Sequence, residues 1–181
     1  IVIPEAYDGL EFGYVGAGIL MEECGRTLAT SPLLSSSLVC SSLVESLGSE
    51  EQKQAILPAI ASGELILTLA INENARFNPA ATAMTATADG SDWILNGNKV
   101  HVLDGLHAHK ALVVARTAGK AGDEDGLVVF MVETQAEELE ITGTLNADNH
   151  MAANMRFNSL RVSADALLGE PGKASQMLEK S

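Results

Sequence analysis

Residues 111–133 read ALVVARTAGKAGDEDGLVVFMVE, and this stretch decides the fold class of the chain. Two runs rich in valine and other apolar residues, 111–117 and 127–133, flank a polar loop of glycine, aspartate and lysine at 118–126. Short apolar runs bounded by such loops are typical of β-strands. The stretch therefore predicts two strands joined by an exposed connection.

Further short strands are predicted on both sides of this stretch. They cover 65–72, 84–88, 93–95, 99–103, 139–142 and 154–162. Asn96-Gly97 predicts a hairpin between the third and fourth of these strands, because a type I′ turn needs positive φ at both central residues. About seven short strands in succession predict a small antiparallel barrel or sandwich.

The pattern changes near residue 64, and the chain before it has a helical period. Helices are predicted at 14–30, 32–46 and 49–61, the last one beginning with a capping box between Ser49 and Gln52. The apolar face of the first helix is predicted to contain Val15, Ile19, Leu20 and Cys24. The predicted fold is therefore α+β, with N-terminal helices followed by a small antiparallel β-barrel or sandwich domain.

Composition excludes two classes of partner. The 181 residues carry 11 basic and 24 acidic side chains, a net charge of −13, which opposes binding to nucleic acid and to anionic membranes. No apolar run reaches the roughly 18 residues of a membrane span, so membrane insertion is not expected. The N-terminus has neither a signal-peptide pattern nor an initiating Met, which suggests an upstream segment. Cys24 and Cys40 are expected to be reduced core thiols.

The histidines allow two readings. His101, His107 and His109 lie within nine residues of each other with Asp104 between them, so a metal site is one hypothesis. The favoured alternative is one histidine on a strand and two on an exposed loop. This spacing does not encode convergence of metal ligands, and no further ligand is evident. No metal ligand is predicted. Nucleophile motifs such as G-x-S-x-G are absent, and no catalytic residue is predicted.

Five groups of motifs resemble the acyl-CoA dehydrogenase family in order and spacing. They are IPEAYDGL at 3–10, MEECGR at 21–26, GSEEQK at 48–53 with LP at 57–58 and ASGE at 61–64, WILNGNK at 93–99, and RVSADALLGE at 161–170. The resemblance covers nearly the whole chain. It implies a partial N-terminal helical domain at 1–64, a middle β-barrel domain at 65–167, and the start of a C-terminal helical domain at 168–181, with the rest of the bundle absent.

The resemblance implies a reaction, α,β-dehydrogenation of an acyl-CoA thioester with FAD as hydride acceptor. In the family a carboxylate of the C-terminal bundle removes the α-proton, so the catalytic base has no counterpart among these residues. The implied partners are an acyl-CoA substrate, an electron-transfer flavoprotein as electron acceptor, and other subunits of a homo- or hetero-oligomer. The implied location is the bacterial cytoplasm or the mitochondrial matrix.

The resemblance also implies two flavin-contacting segments. The family pattern T-E-P-x-A-G-S-D aligns with NENARFNP at 72–79, and W/F-I-T/S-N aligns with HVLD at 101–104. The candidate cofactor-binding residues are Leu69, Ile71, Asn72, Phe77, Asn78, His101, Val102 and Leu103.

Five of these positions depart from the family pattern. The replacements are Asn72 for threonine, Phe77 for glycine, Asn78 for serine, His101 for an aromatic residue and Leu103 for a hydroxyl residue. Two hypotheses follow: an FAD-dependent acyl-CoA dehydrogenase, or a flavin-free, inactive subunit that is the structural partner of an active homologue. A generic ligand-binding barrel is a third option, and the ordered motifs disfavour it.

Overall fold

A group of N-terminal helices packs against one eight-stranded sheet in the computed structural model, which describes residues 1–123, 125–146 and 150–169 together with Ala174 and Leu178. The helices are α1 (Gly13–Thr27), a π-helix (Leu33–Cys40), α2 (Ser41–Leu47) and α3 (Glu50–Ser62), and short 3-10 turns lie at Glu5–Tyr7, Pro79–Ala81 and Ala164–Ala166. The strands are β1 (Leu67–Ala70), β2 (Thr85–Asp89), β3 (Asp92–Leu103), β4 (Lys110–Arg116), β5 (Leu127–Glu133), β6 (Leu139–Leu145), β7 (Met151–Val162) and β8 (Leu167–Leu168). The predicted α+β fold is confirmed.

The sheet is mostly antiparallel. Its strand order is β6-β7-β3-β2-β4-β5-β8, and β1 pairs with β4 outside this path. Two pairings are parallel: β1 with β4, and β2 with β4 through the single pair Thr85 and Arg116. Both β1 and β2 therefore lie along one edge of β4, while β5 occupies the other.

The valine-rich strands β4 and β5 are apolar at 111–115 and 127–132 because both faces of these strands are covered. In β4, Ala111 and Val113 face the core of the β domain, whereas Leu112 and Val114 face a second core shared with the helices. A strand covered on both faces loses the alternation of polar and apolar residues. The sheet is thus the common wall of the two cores.

The hairpin prediction at Asn96-Gly97 is wrong. These residues lie inside β3, and the turn falls earlier, where Asp89 pairs with Asp92. Gly97 has a φ of 149°, far from the value of about +90° of a type I′ turn, and the register of β3 against β7 shifts between Leu95 and Gly97. A Cβ at Gly97 would lie 2.7 Å from the side chain of Met84, so glycine here permits a β-bulge and a close approach.

The helical predictions hold with two differences. The capping box of α3 is present: the Ser49 hydroxyl accepts from the Gln52 amide at 3.2 Å, and the Gln52 side chain accepts from the Ser49 amide at 3.0 Å. The predicted apolar face of α1 is not buried, however. Val15 is 82% exposed and Ile19 is 58% exposed, whereas the buried residues of α1 are Gly16 and Ala17.

The second predicted helix begins as a π-helix over Leu33–Cys40. Two serine hydroxyls donate hydrogen bonds to carbonyl groups of the π-helix four residues earlier in the chain. Ser41 Oγ donates to Ser37 O and Ser42 Oγ donates to Leu38 O, each at 2.7 Å. Such side-chain bonds compete with regular α-helical geometry. π-Helical turns occur frequently at functional sites.

The end of the chain lies mostly outside the described residues, and so does the predicted start of a C-terminal helical domain. Leu168 belongs to β8, so a helix does not begin there.

Within the described part of the chain, no helix is both long enough and apolar enough to span a membrane. Both cysteines are free, but only Cys40 is buried as predicted, and Cys24 is half-buried.

Candidate functional site

Hydrogen bonds hold the two segments predicted to contact a cofactor side by side. The backbone amide of Val100 donates to Asn72 O at 2.8 Å, and the Thr68 hydroxyl donates to Leu103 O. Both bonds connect β1, or the residues directly after it, with the end of β3. Segments 69–72 and 101–103 therefore lie side by side, and their accessible parts form the candidate surface.

The side chains of the eight candidates differ in access to this surface. Ile71 and Val102 are buried in the two cores, so only their backbones could contact a ligand. Leu69 is half-buried and packs toward the helices. The four exposed candidates are Phe77, Asn78, His101 and Leu103.

Asn72 has an orphaned acceptor. Asn72 as a whole is half-buried, but its Oδ1 atom is fully buried and makes no hydrogen bond with the described part of the chain. An unpaired buried acceptor costs about 1–3 kcal/mol, and a ligand that donates a hydrogen bond would remove this penalty once the half-buried side chain turns toward the surface. The isoalloxazine ring of a flavin carries such a donor, so this residue fits the implied cofactor.

Most of the backbone groups here are already engaged. Ile71 O accepts from Lys99 Nζ at 3.1 Å, and the amide of His101 donates to Asn154 Oδ1 at 3.2 Å. His101 also has a φ of 53°, in the left-handed region. A ligand at this surface would therefore depend on side chains more than on free amides.

Phe77 and Asn78 lie on a loop that leads away from β1. Phe77 is 60% exposed, and Asn78 accepts a backbone hydrogen bond from Ala81 at 3.0 Å. Among the described residues, hydrogen bonds do not connect either of them with residues 101–103. The structure thus brings six of the eight candidates together and leaves these two on the adjoining loop.

A buried ion pair anchors that loop. Lys99 Nζ lies 2.8 Å from Glu73 Oε1, the lysine side chain is fully buried, and the Glu73 carboxylate also accepts from the amides of Ala83 and Met84. Burial raises the pKa of Glu73, but the hydrogen bond and charge of Lys99 and the two amides outweigh it and hold the pKa below its ordinary value. Burial lowers the pKa of Lys99, and Glu73 offsets part of that effect. One carboxylate thereby fixes both ends of the loop.

Arg116, at the end of β4, fixes the same loop from the other side. Its buried guanidinium donates to five backbone carbonyls, those of Ala80, Thr82, Ala118, Asp123 and Asp125. The loop at 78–82 and the connection at 118–126 are therefore joined through a single side chain. Neither Glu73, Lys99 nor Arg116 was among the residues predicted from the sequence to contact a cofactor.

A cavity of about 340 Å³ adjoins the same surface. It lies between the end of α1, the start of the π-helix and the end of β3. Its lining is mainly apolar, with Ser31, Asp104 and His150 as its polar side chains; the apolar ones include Met21, Leu28, Leu33, Leu34, Leu103 and Met151. Leu103 thus belongs both to the predicted flavin segment and to the cavity wall.

The histidine cluster does not converge. His109 Nδ1 accepts from the Ile66 amide at 2.9 Å, while His101 and His107 are exposed. Within the part of the chain that the structure describes, no three His, Cys, Asp or Glu side chains are arranged to hold a metal ion.

Comparison with known proteins identifies the family. The model for the acyl-CoA dehydrogenase N-terminal domain matches residues 1–64, and that for the acyl-CoA dehydrogenase middle domain matches residues 69–160. The chain is 32% identical to the human mitochondrial short-chain specific acyl-CoA dehydrogenase over 94% of its own length, and it spans 42% of that relative.

Solved structures agree in fold. The ChsE4-ChsE5 complex from Mycobacterium tuberculosis superposes with a TM-score of 0.87 at 24% identity, covering 99% of this chain and 46% of that one. A glutaryl-CoA dehydrogenase from Mycobacterium smegmatis in complex with FADH2 gives a TM-score of 0.67 at 30% identity, covering 77% of this chain and 36% of that one. With two domain models matched in succession and the fold in common, this chain belongs to the acyl-CoA dehydrogenase family.

Proposed function

We propose that the protein is an FAD-dependent acyl-CoA dehydrogenase, which converts the Cα–Cβ single bond of an acyl-CoA thioester to a double bond. The observation that carries this proposal is the position of Leu103. It lies on the surface that the family resemblance predicts for a flavin, and it also lines an apolar cavity of about 340 Å³. An acyl group in the cavity would lie against the flavin surface, as dehydrogenation requires.

The residues proposed to hold the FAD are those at 69–72 and 101–103, with Phe77 and Asn78 on the adjoining loop. When bound, FAD supplies the acceptor for the hydride that leaves the β-carbon, while the α-proton passes to a base. We assign that base to no residue of this chain. Asn72 Oδ1 would accept a hydrogen bond from the cofactor.

The apolar wall of the cavity has two effects on the reaction. Its side chains would bury the hydrocarbon part of the substrate, at about 25 cal/mol per Å² of apolar surface removed from water. Leu103 would also exclude water from the reacting carbons, which favours hydride transfer over side reactions. The Glu73–Lys99 pair would act only indirectly, by fixing the loop that follows Asn72.

The remaining parts of the proposal concern the whole protein. An electron-transfer flavoprotein is the proposed electron acceptor, and the bacterial cytoplasm or the mitochondrial matrix is the proposed location. The exposed apolar residues of α1 support a homo- or hetero-oligomer. The domain boundaries at 64/65 and 167/168 stay predictions.

Restoring the family hydroxyl at Leu103 is expected to strengthen FAD binding. Leu103→Thr adds one hydrogen-bonding group, worth on the order of 1 kcal/mol, so the dissociation constant should fall several-fold. Leu106→Thr is a matched control, because Leu106 is 36% exposed and Leu103 is 37% exposed, yet Leu106 lies beyond the flavin segment. Flavin fluorescence titration of the intact protein measures both.

Equal effects of the two substitutions would contradict the assignment of Leu103 to the flavin surface. We leave His101 unchanged in this test, because the left-handed backbone at His101 would strain a tryptophan there and obscure any gain.

A flavin-free subunit is the second candidate function. It is favoured by a specific observation: the His101 amide is already bonded to Asn154, while Leu103 offers no hydrogen bond from its side chain. Such a subunit would be the structural partner of an active homologue. The visible spectrum of the intact protein distinguishes the two candidates, since only a flavoprotein is yellow.

A further inference from the structure

The cavity beside Leu103 has a mainly apolar wall that also contains the carboxylate of Asp104 and the imidazole of His150. Asp104 follows β3 in a left-handed conformation, with a φ of 56°. Its backbone already accounts for the turn: the amide donates to Met151 O at 3.2 Å, and the carbonyl accepts from the amides of His107 and Ala108 at 3.0 Å. The turn therefore does not need the carboxylate.

One oxygen of this carboxylate has a known partner. The hydroxyl of Ser35, on the π-helix, donates to Asp104 Oδ2 at 2.6 Å. Ser35 is itself buried, so this bond joins the π-helix to the end of β3 across 69 positions of sequence. The contact fixes the direction of the carboxylate at the cavity wall.

The other oxygen, Asp104 Oδ1, makes no hydrogen bond or ion pair with the described residues. A carboxylate only accepts hydrogen bonds, so only a donor can satisfy it. A purely hydrocarbon ligand in the cavity would displace water from Oδ1 without replacing its hydrogen bond, which is unfavourable.

We propose that the cavity binds an apolar group carrying a hydroxyl, which donates a hydrogen bond to the Asp104 carboxylate. A hydroxyl supplies one such bond and Ser35 supplies the other, so both oxygens of the carboxylate are then hydrogen-bonded. The inference rests on the proposed function for the rest of the ligand. The substrate class is then an acyl-CoA whose apolar part is hydroxylated.

The test compares two small probes that differ by one hydroxyl, toluene and 4-methylphenol. Their dissociation constants are measured by calorimetry on the intact protein, for the wild type and for Asp104→Gly, which removes the acceptor and suits the left-handed backbone at this position. The ratio of the two dissociation constants should change by about tenfold or more in favour of toluene in the glycine variant. Ser35→Ala, which leaves the carboxylate in place, should keep the wild-type preference for 4-methylphenol.

Asp104→Asn protects the test against misfolding, because the amide oxygen can still accept from Ser35. The ratio of dissociation constants for Asp104→Asn should lie between those of the wild type and the glycine variant. The same ratio in all variants, or no binding of either probe to the wild type, overturns the inference.

The result is separable from the proposed function. A colourless protein that prefers 4-methylphenol through Asp104 would retain the hydroxyl site and contradict the dehydrogenase. A yellow protein whose ratio of dissociation constants does not depend on Asp104 would agree with the dehydrogenase and contradict the hydroxyl site.

Discussion

Replacing Lys99 with methionine is expected to lower the free energy of unfolding by about 3 kcal/mol or more. The substitution leaves the Glu73 carboxylate, 18% exposed, without its cation, and it leaves Ile71 O without a donor. Removing one partner of a buried pair costs more than the pair contributes, because a charge stays buried and uncompensated. Urea unfolding of the wild type and the variant measures the difference.

A second lysine provides the matched control. Lys110 lies 2.9 Å from Glu133, but this pair is exposed, with 32% and 64% of the two side chains accessible. Lys110→Met should cost less than about 1 kcal/mol. Glu73→Gln combined with Lys99→Met should recover part of the loss, since the neutral amide still accepts from Ala83 and Met84. A loss in Lys99→Met no greater than in Lys110→Met would contradict the role of the pair.

The same pair predicts a dependence of stability on pH. The pKa of Glu73 is lowered in the folded protein, so its contribution is complete above the unfolded pKa of about 4.3. It is lost as the pH falls below that value and through the folded pKa, because the unfolded chain then binds more protons. This component should be missing from the acid unfolding of Glu73→Gln.

Replacing Arg116 with methionine is expected to cost about 3 kcal/mol or more. Arg116 is 4% exposed, and its guanidinium is the shared donor for five carbonyls on two loops. The substitution leaves those acceptors without a partner, and each buried, unpaired group costs about 1–3 kcal/mol, with part of the loss recovered by water. The urea midpoint should fall accordingly.

Two further variants make this prediction specific. Arg116→Lys keeps the charge but has only three donors, so it should lie between the wild type and the methionine variant. Arg156→Met changes an exposed arginine of β7 and should have little effect. Equal midpoints for Arg116→Met and Arg156→Met would show that the carbonyl cluster does not stabilise the fold.

The sequence predicts strands best where local pattern and packing agree. β5 occupies 127–133 as predicted, because both of its faces are buried and the apolar run is uninterrupted. Asn96-Gly97 shows the opposite case. The dipeptide prefers a turn, but pairing with β7 and the contact with Met84 keep it inside β3 as a bulge. Tertiary contacts of this kind are not encoded in a dipeptide.

The site was predictable only in part, for a similar reason. The family resemblance leads to residues 69–72 and 101–103, which the fold brings together. A buried charge could have been suspected from Lys99, since strand alternation from Leu95 directs it toward the core. Nothing in the local sequence around Ser35 and Asp104 indicates their contact, because they are separated by 69 positions and meet only in the folded chain.

The proposed dehydrogenation is tested most directly by mixing the intact protein anaerobically with a series of saturated acyl-CoA thioesters while recording the visible flavin spectrum. The expected result is a yellow protein whose flavin absorbance is bleached by at least one thioester, because hydride transfer reduces the cofactor. A protein that carries no flavin absorbance after incubation with FAD, or whose absorbance no thioester bleaches, would contradict the proposed function.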